Sequence, residues 1–242
     1  MAHFYLVEEL ESAAIGDRVE LTGAEARHAV TVSRIGVGES VTIGNGAGLI
    51  VSGPVIAAEH TELAITVAEV TESPRREPAM FLVQALAKGD RDELAVQAAT
   101  ELGIDGVVPW QSARSISRWE GAKVAKGRDR WTAIVREASK QSIRPWVPDV
   151  IDLVTTKQLA ALAAGARMLV LEPSAEVGLT SLALDDRDIL LVVGPEGGIA
   201  PQEIAALTSA GAELVRLGPE VLRTSTAGPA AIAVLNGALG RW

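Results

Sequence analysis

The sequence predicts two domains, a small antiparallel β-barrel followed by a larger α/β layer built on a parallel sheet. Three observations carry that expectation. Residues 1–70 break into short runs of alternating apolar and polar residues separated by turn signals. The segment TESPRREP at 71–78 concentrates prolines and charges where the pattern changes, which sets the domains at 1–72 and 76–242. From residue 79 onward, runs that are apolar at every position alternate with helical patterns, as in a parallel sheet covered on both faces.

In the first domain FYLV and RVEL read as strands. Thr22 and Glu25 have capping-box spacing ahead of AEARHAVTVSR, which predicts a helix there. ESVTIGNGAGLIVSGPVIAA reads as a hairpin turning at Asn45-Gly46, and ELAITVAEV as a further strand.

The second domain begins with the strand AMFLVQAL. Asp90 and Glu93 are placed to cap a helix through ELAVQAATEL that stops at Gly103, and the strand GVVPW follows. A long helix is expected over 119–142, halted by Pro145, then a helix near 156–164 and the strand ARMLVLE. DILLVVG leads into GPEGGIAPQE and a helix to Ala210, then the strand AELVRLG and an Ala-rich helix ending at Trp242. That last helix is apolar on more than one face, so it is expected to be buried on two sides, either by the sheet and a partner subunit or within a monomeric core.

Composition narrows the chemistry. With 242 residues, 48% hydrophobic and 22% charged, the chain has the apolar content of a folded protein and not of a disordered one. It has no cysteine, which excludes thiol catalysis, disulfides and thiolate metal sites. Its three histidines, His3, His28 and His60, share no ligand spacing, so no metal is expected. The start lacks a secretory signal and no apolar stretch is long enough for a membrane span, which points to a soluble, cytoplasmic protein.

The net charge of -9 argues against a polyanion partner only on average. Residues 111–148 carry nine basic and three acidic side chains, and this one stretch is a candidate footprint for nucleic acid. Trp119, Trp131 and Trp146 lie in it, either as stacking surfaces or as core.

Ligands of open parallel sheets bind at the carboxyl ends of strands where the winding direction changes. Three such ends stand out: Leu169-Val170-Leu171-Glu172-Pro173-Ser174, Gly194-Pro195-Glu196-Gly197-Gly198, and Leu217-Gly218-Pro219-Glu220-Val221-Leu222-Arg223. The glycine-rich turn lets backbone approach a ligand closely, yet it lacks the Lys-Ser/Thr of a P-loop and the spacing of a dinucleotide fingerprint. Arg223 offers fixed donors beside that turn, unless Glu196 or Glu220 pairs with it.

Taken in order, Lys88-Gly89, Glu101-Leu102-Gly103, the run Glu137-Ala138-Ser139-Lys140-Gln141-Ser142 with Arg144 and Pro148, the Gly194 to Gly198 turn, and Leu217-Gly218 with Leu222-Arg223-Thr224 form a specific pattern. Across essentially its whole length the chain resembles the RsmE-type 16S ribosomal RNA uridine-N3 methyltransferases of the SPOUT superfamily. The resemblance implies a PUA-like N-terminal barrel that binds RNA, a C-terminal α/β trefoil-knot domain with a parallel sheet, an obligate homodimer, and S-adenosyl-L-methionine held bent in the knot. It departs in two places. Ser225 stands where the family usually has glutamate, and Arg27-His28 with Val32-Ser33-Arg34 replaces paired histidines before Val-Leu-Arg. The absence of the asparagine motifs of ribose-methylating relatives favours a base as target.

On this resemblance the cofactor lies against Leu171, Gly194, Gly198, Ile199, Leu217, Gly218, Val221 and Leu222. Arg223 is the candidate to stabilise charge on the uracil oxygens and Glu196 the candidate proton acceptor. Arg27, Arg34, Lys88, Arg114, Gln141 and Arg144 are the expected RNA contacts, with 16S rRNA or the 30S subunit as partner. The competing readings are a noncatalytic RNA-binding module, a related methyltransferase with another RNA target, and a different nucleotide-dependent α/β enzyme.

Overall fold

The computed structural model describes residues 3–242. It divides into two compact units, the first reaching Arg75 and taking in Ser139–Val147, the second comprising Arg76–Ala138 and Pro148–Trp242. The sequence places 139–147 in the second domain. In the structure Trp146 Nε1 donates to the Ser73 carbonyl at 2.8 Å, the Arg75 guanidinium lies over the Trp146 ring, and Lys140 Nζ reaches Glu25 Oε1 at 3.1 Å.

The first unit contains β1 (Phe4–Leu6), β2 (Arg18–Thr22), α1 (Gly23–Arg27), β3 (Ser40–Gly44), β4 (Leu49–Glu59), β5 (Glu62–Thr66) and β6 (Glu69–Glu72). Its strand order is β1-β3-β4-β5-β2, with β6 on β4; the pairs are antiparallel except β1 with β3. The long strand β4 pairs with β3 and β6 along its first half and with β5 along its second, its register shifting between Val55 and Ala57. Such a bulge bends a strand and increases its twist, so one strand serves both halves of a curled sheet. The sheet encloses Leu21, Ile43, Val51, Leu63 and Ile65.

Gly53 lies in β4 just before the bulge, where an added Cβ would collide with the Thr66 carbonyl oxygen. Gly53→Ala is therefore expected to lose at least the ~1–3 kcal/mol typical of an overpacked core. A thermal unfolding midpoint equal to that of the wild type would contradict this.

One local expectation fails here and another is refined. Thr22 makes no side-chain cap bond, and the Glu25 carboxylate turns to Lys140 instead of back to the helix start. α1 is accordingly short and continues as a π-helical turn over His28–Val32. The Asn45-Gly46 hairpin exists but spans 45–48, with Asn45 Oδ1 accepting from the N–H groups of Ala47 and Leu49.

The second unit contains β7 (Met80–Ala85), α2 (Arg91–Glu101), β8 (Gly106–Trp110), α3 (Ala122–Gln141, whose end lies in the first unit), β9 (Asp149–Val150), α4 (Thr156–Leu162), β10 (Arg167–Leu171), β11 (Ile189–Val193), α5 (Pro201–Ser209), β12 (Glu213–Val215) and α6 (Thr224–Ala238). The sheet runs β12-β10-β11-β7-β8-β9 and every pair is parallel. Leu191 pairs with Leu169 on one side and Leu82 on the other, and all three are fully buried. These positions are apolar on both faces because helices cover both.

Chain order reverses across this sheet. β8 and β9 add outward from β7 on one side, whereas β11 fills the place between β7 and β10 on the other. That reversal creates a switch point at the strands' carboxyl ends.

Element ends also differ from expectation. α3 starts at Ala122 and α6 stops at Ala238. Asp90 occupies the N-cap position of α2 but has φ +57 and no cap bond; Asp92 accepts the Ala87 N–H instead. Trp131 is buried with Trp119 packed edge-on against it, and Trp146 is held as described, so the tryptophans belong to the fold and are not free stacking surfaces. Among the described residues no helix is long and apolar enough to cross a membrane.

Candidate active site

β10, β11 and β12 are parallel neighbours in register, Leu171 opposite Val215 and Val170 opposite Val192. Parallel register brings their carboxyl ends to one edge. The segments leaving them, with the start of α6, enclose a cavity of about 460 Å³. That volume falls within the range of small-molecule sites, ~300–1,000 Å³.

Every residue expected to bind cofactor lines this cavity: Leu171, Gly194, Gly198, Ile199, Leu217, Gly218, Val221 and Leu222. Arg223 and Glu196 line it too. The first strand end supplies Leu171 to Pro173, the glycine turn Gly194 to Glu196 with Gly198, and the third segment Leu217, Gly218 and Glu220 to Arg223.

The glycine turn is built for close approach. A Cβ on Gly194 would come within 2.7 Å of Ile199 Cγ1, and Ile199 is itself buried. Gly198 has φ +69 and donates its N–H to the Pro195 carbonyl at 2.9 Å. α5 then starts with Pro201 at its first position, where the missing N–H costs nothing.

Glu203, in the first turn of α5, fixes the turn from below. It is buried and accepts from Ala113 N at 2.9 Å, Thr156 Oγ1 at 2.6 Å and Ala200 N at 3.2 Å. Glu203→Ala strands those donors, and each buried unsatisfied group costs about 1–3 kcal/mol. Denaturant unfolding is expected to show a loss of that order, and an unchanged midpoint would contradict it.

Arg223 is exposed, and among the described residues its side chain forms neither a hydrogen bond nor an ion pair; the pairing with Glu196 or Glu220 does not occur. It is the N-cap residue of α6, so the positive end of the helix dipole and an unneutralised guanidinium face the same mouth. Val221 and Leu222 beside it are exposed apolar side chains, at 76% and 38%.

Glu196 does not cap α5. Its Oε1 accepts the Lys88 N–H at 3.0 Å and Arg91 Nη1 at 3.2 Å, leaving Oε2 without a hydrogen bond among the described residues. Behind this contact Asp92 is buried, and burial pushes its carboxyl above the usual carboxylate range against the opposing N–H groups of Ala87 and Glu93. A raised pKa in the folded state means that, at this position, protonation at acid pH favours folding.

The candidate RNA contacts separate. Lys88 is exposed next to the cavity wall, and Arg114 Nη1 donates to the Gly197 carbonyl at 3.0 Å. Arg27 and Arg34 are exposed in the first unit, Arg34 in the left-handed backbone region with φ +57. Gln141 and Arg144 lie in the 139–147 segment of that same unit.

Sequence patterns missed Arg91, which lines the cavity three residues after Lys88, and Gln84, fully buried at the end of β7. Arg91 was accessible as a cation on the turn that opens α2. Nothing in the one-dimensional pattern marks Gln84 beyond its being polar in an apolar strand.

Comparison with known proteins agrees with this architecture. Residues 75–236 match the model of an RNA methyltransferase domain, and residues 21–67 that of an RNA methyltransferase PUA domain. The chain is similar to the ribosomal RNA small subunit methyltransferase E of Mycobacterium bovis, 44% identical over 91% of this chain and 86% of that protein. It is 31% identical to the protein of the same name from Bacillus subtilis, over 89% and 88% of the two chains. Among solved structures it resembles a ribosomal RNA small subunit methyltransferase E from Neisseria gonorrhoeae bound to S-adenosyl methionine, with a TM-score of 0.88, 27% identity and 98% of each chain covered.

Proposed function

The chain belongs to the ribosomal RNA small subunit methyltransferase E family, and from that premise we propose that it methylates ring N3 of one uridine in 16S rRNA with S-adenosylmethionine as donor. The observation that carries the reading is the cavity at the carboxyl ends of β10, β11 and β12, with the unpaired guanidinium of Arg223 at its mouth.

The residues present suit that donor. Gly194 lets Ile199 pack directly against the backbone of the turn, Gly198 adopts a backbone shape open to glycine, and Val221 with Leu222 offers apolar surface to cover. The lining holds three cationic side chains (Arg91, Arg216, Arg223) and three anionic ones (Glu172, Glu196, Glu220), so both the positive centres and the carboxylate of that donor have groups of opposite charge within the same cavity. When bound, S-adenosylmethionine supplies an electrophilic methyl group on sulfur.

What remains for the protein is alignment and charge. Uracil N3 carries a proton at neutral pH and becomes nucleophilic as that proton leaves. Arg223 donates to the oxygen on which negative charge then collects, assisted by the α6 dipole. Glu196 Oε2 takes the proton, while Oε1 is held by the Lys88 N–H and Arg91. N3 lies on the Watson–Crick edge, so the target must be unpaired or flipped out.

Lys88 and Arg114 beside the cavity, with Arg27, Arg34, Gln141 and Arg144 of the first unit, hold the RNA through phosphates and shape. A homodimer completes the reading. α6 buries Gly228, Ala231, Ile232 and Leu235 and leaves Ala230, Ala233 and Val234 half-covered for a second subunit. The domains 1–72 and 76–242, a trefoil knot in the second and a cytoplasmic location belong to the same proposal.

Mass spectrometry of 16S rRNA from cells lacking the protein tests it. One N3-methyluridine is expected to disappear and to return with the wild-type chain. An unchanged set of methylated nucleosides would contradict the reading.

A further inference from the structure

A polar chain crosses the core behind the cavity. Gln84, fully buried at the carboxyl end of β7, donates from Nε2 to the Ala85 carbonyl at 3.0 Å and to Thr224 Oγ1 at 2.8 Å. Thr224 Oγ1 in turn donates to the Gly194 carbonyl at 2.8 Å. Gly194 opens the glycine turn, and Thr224 follows Arg223 directly.

The direction of this relay is dictated by its members. A hydroxyl has one hydrogen, which Thr224 gives to Gly194, so Thr224 must accept from Gln84. Both Gln84 amide hydrogens are then committed, and Oε1 is left buried without a partner. Turning the amide over would set its oxygen against the Ala85 carbonyl, which cannot donate. A native core seldom keeps an unsatisfied buried acceptor without a reason.

We propose that Gln84 and Thr224 are positioning residues for methyl transfer: the relay from β7 through Thr224 to the Gly194 carbonyl fixes the start of α6 against the glycine turn and so sets where the Arg223 guanidinium stands. This rests on the function proposed above and goes beyond it, since neither side chain acts on the substrate in that reading. Thr224 is buried and its hydroxyl is spent within the protein. A small displacement of a catalytic group can cost about 100-fold in rate.

The test measures single-turnover methylation of small-subunit rRNA, calorimetric affinity for S-adenosylhomocysteine and thermal stability, all on the full chain. Thr224→Val keeps the shape and removes the hydroxyl; it is expected to slow methyl transfer by about 10–100-fold. Thr224→Ser restores the hydroxyl and is expected to restore most of the rate. Gln84→Glu offers Thr224 a second acceptor in place of its donor and is expected to behave like Thr224→Val. In an Arg223→Ala background, Thr224→Val is expected to cost little further, because its effect runs through Arg223.

Equal losses from Thr224→Val with and without Arg223, or a full rate in Thr224→Val, would overturn the relay. If Gln84→Glu does not fold, the Thr224 pair decides alone. Wild-type protein that neither binds S-adenosylhomocysteine nor methylates the RNA would overturn the functional reading itself, a result distinct from failure at the variants.

Discussion

Arg223→Ala is expected to slow single-turnover methylation of small-subunit RNA by about 100-fold, the usual cost of removing one preorganised donor from developing charge. Affinity for S-adenosylhomocysteine should change little, because Arg223 answers charge that appears on the uracil only as N3 loses its proton. Arg223→Lys should remain slow, since an ammonium lacks the planar fork that fixes donor geometry. Among the described residues nothing pairs with this guanidinium, and Val221 and Leu222 beside it are exposed apolar side chains. An alanine variant as fast as the wild type would leave Arg223 as a surface residue.

Gly194→Ala carries the second large effect. The new methyl would meet Ile199 Cγ1 at 2.7 Å and the Ile199 N–H nitrogen at 3.4 Å, and Ile199 is buried between the core and the cavity it lines. Relief requires the turn itself to shift, at the ~1–3 kcal/mol of overpacking. If that shift falls on the cofactor wall, affinity for S-adenosylhomocysteine drops by roughly 5–150-fold, tenfold for each ~1.4 kcal/mol. Gly197→Ala is the control. Its Cβ would stand 3.4 Å from Arg114 Cβ in ordinary contact, Gly197 does not line the cavity, and binding should be close to that of the wild type. Equal affinity for both variants would show that the turn does not hold the cofactor.

The parallel sheet was legible because runs such as Ile189 to Val193 are apolar on both faces, a pattern that only a covered sheet repays. The cavity was legible for a related reason: strand ends in such a sheet gather at one edge, so three loops distant in sequence share one site. Pairings across long separations were not. Glu25 has perfect spacing for a capping box, yet it is drawn to Lys140, 115 residues away. Asp90 and Asp92 are two positions apart and equally able to cap, and only the φ of +57 at Asp90 decides between them. Trp146 is one of several tryptophans in a basic stretch until its indole N–H meets Ser73 and draws 139–147 into the first unit. Gln84 has meaning only through Thr224, 140 residues on. Glu196 and Glu220 were both available to neutralise Arg223, and geometry alone shows that neither does.

The placement of the methyl donor tests the account most directly. A crystal structure of this chain with S-adenosylhomocysteine is expected to show the ligand between Leu171, the Gly194 to Ile199 turn and the Leu217 to Leu222 segment. Ligand bound anywhere else, or these segments lying apart around an empty cleft at saturating ligand, would contradict it.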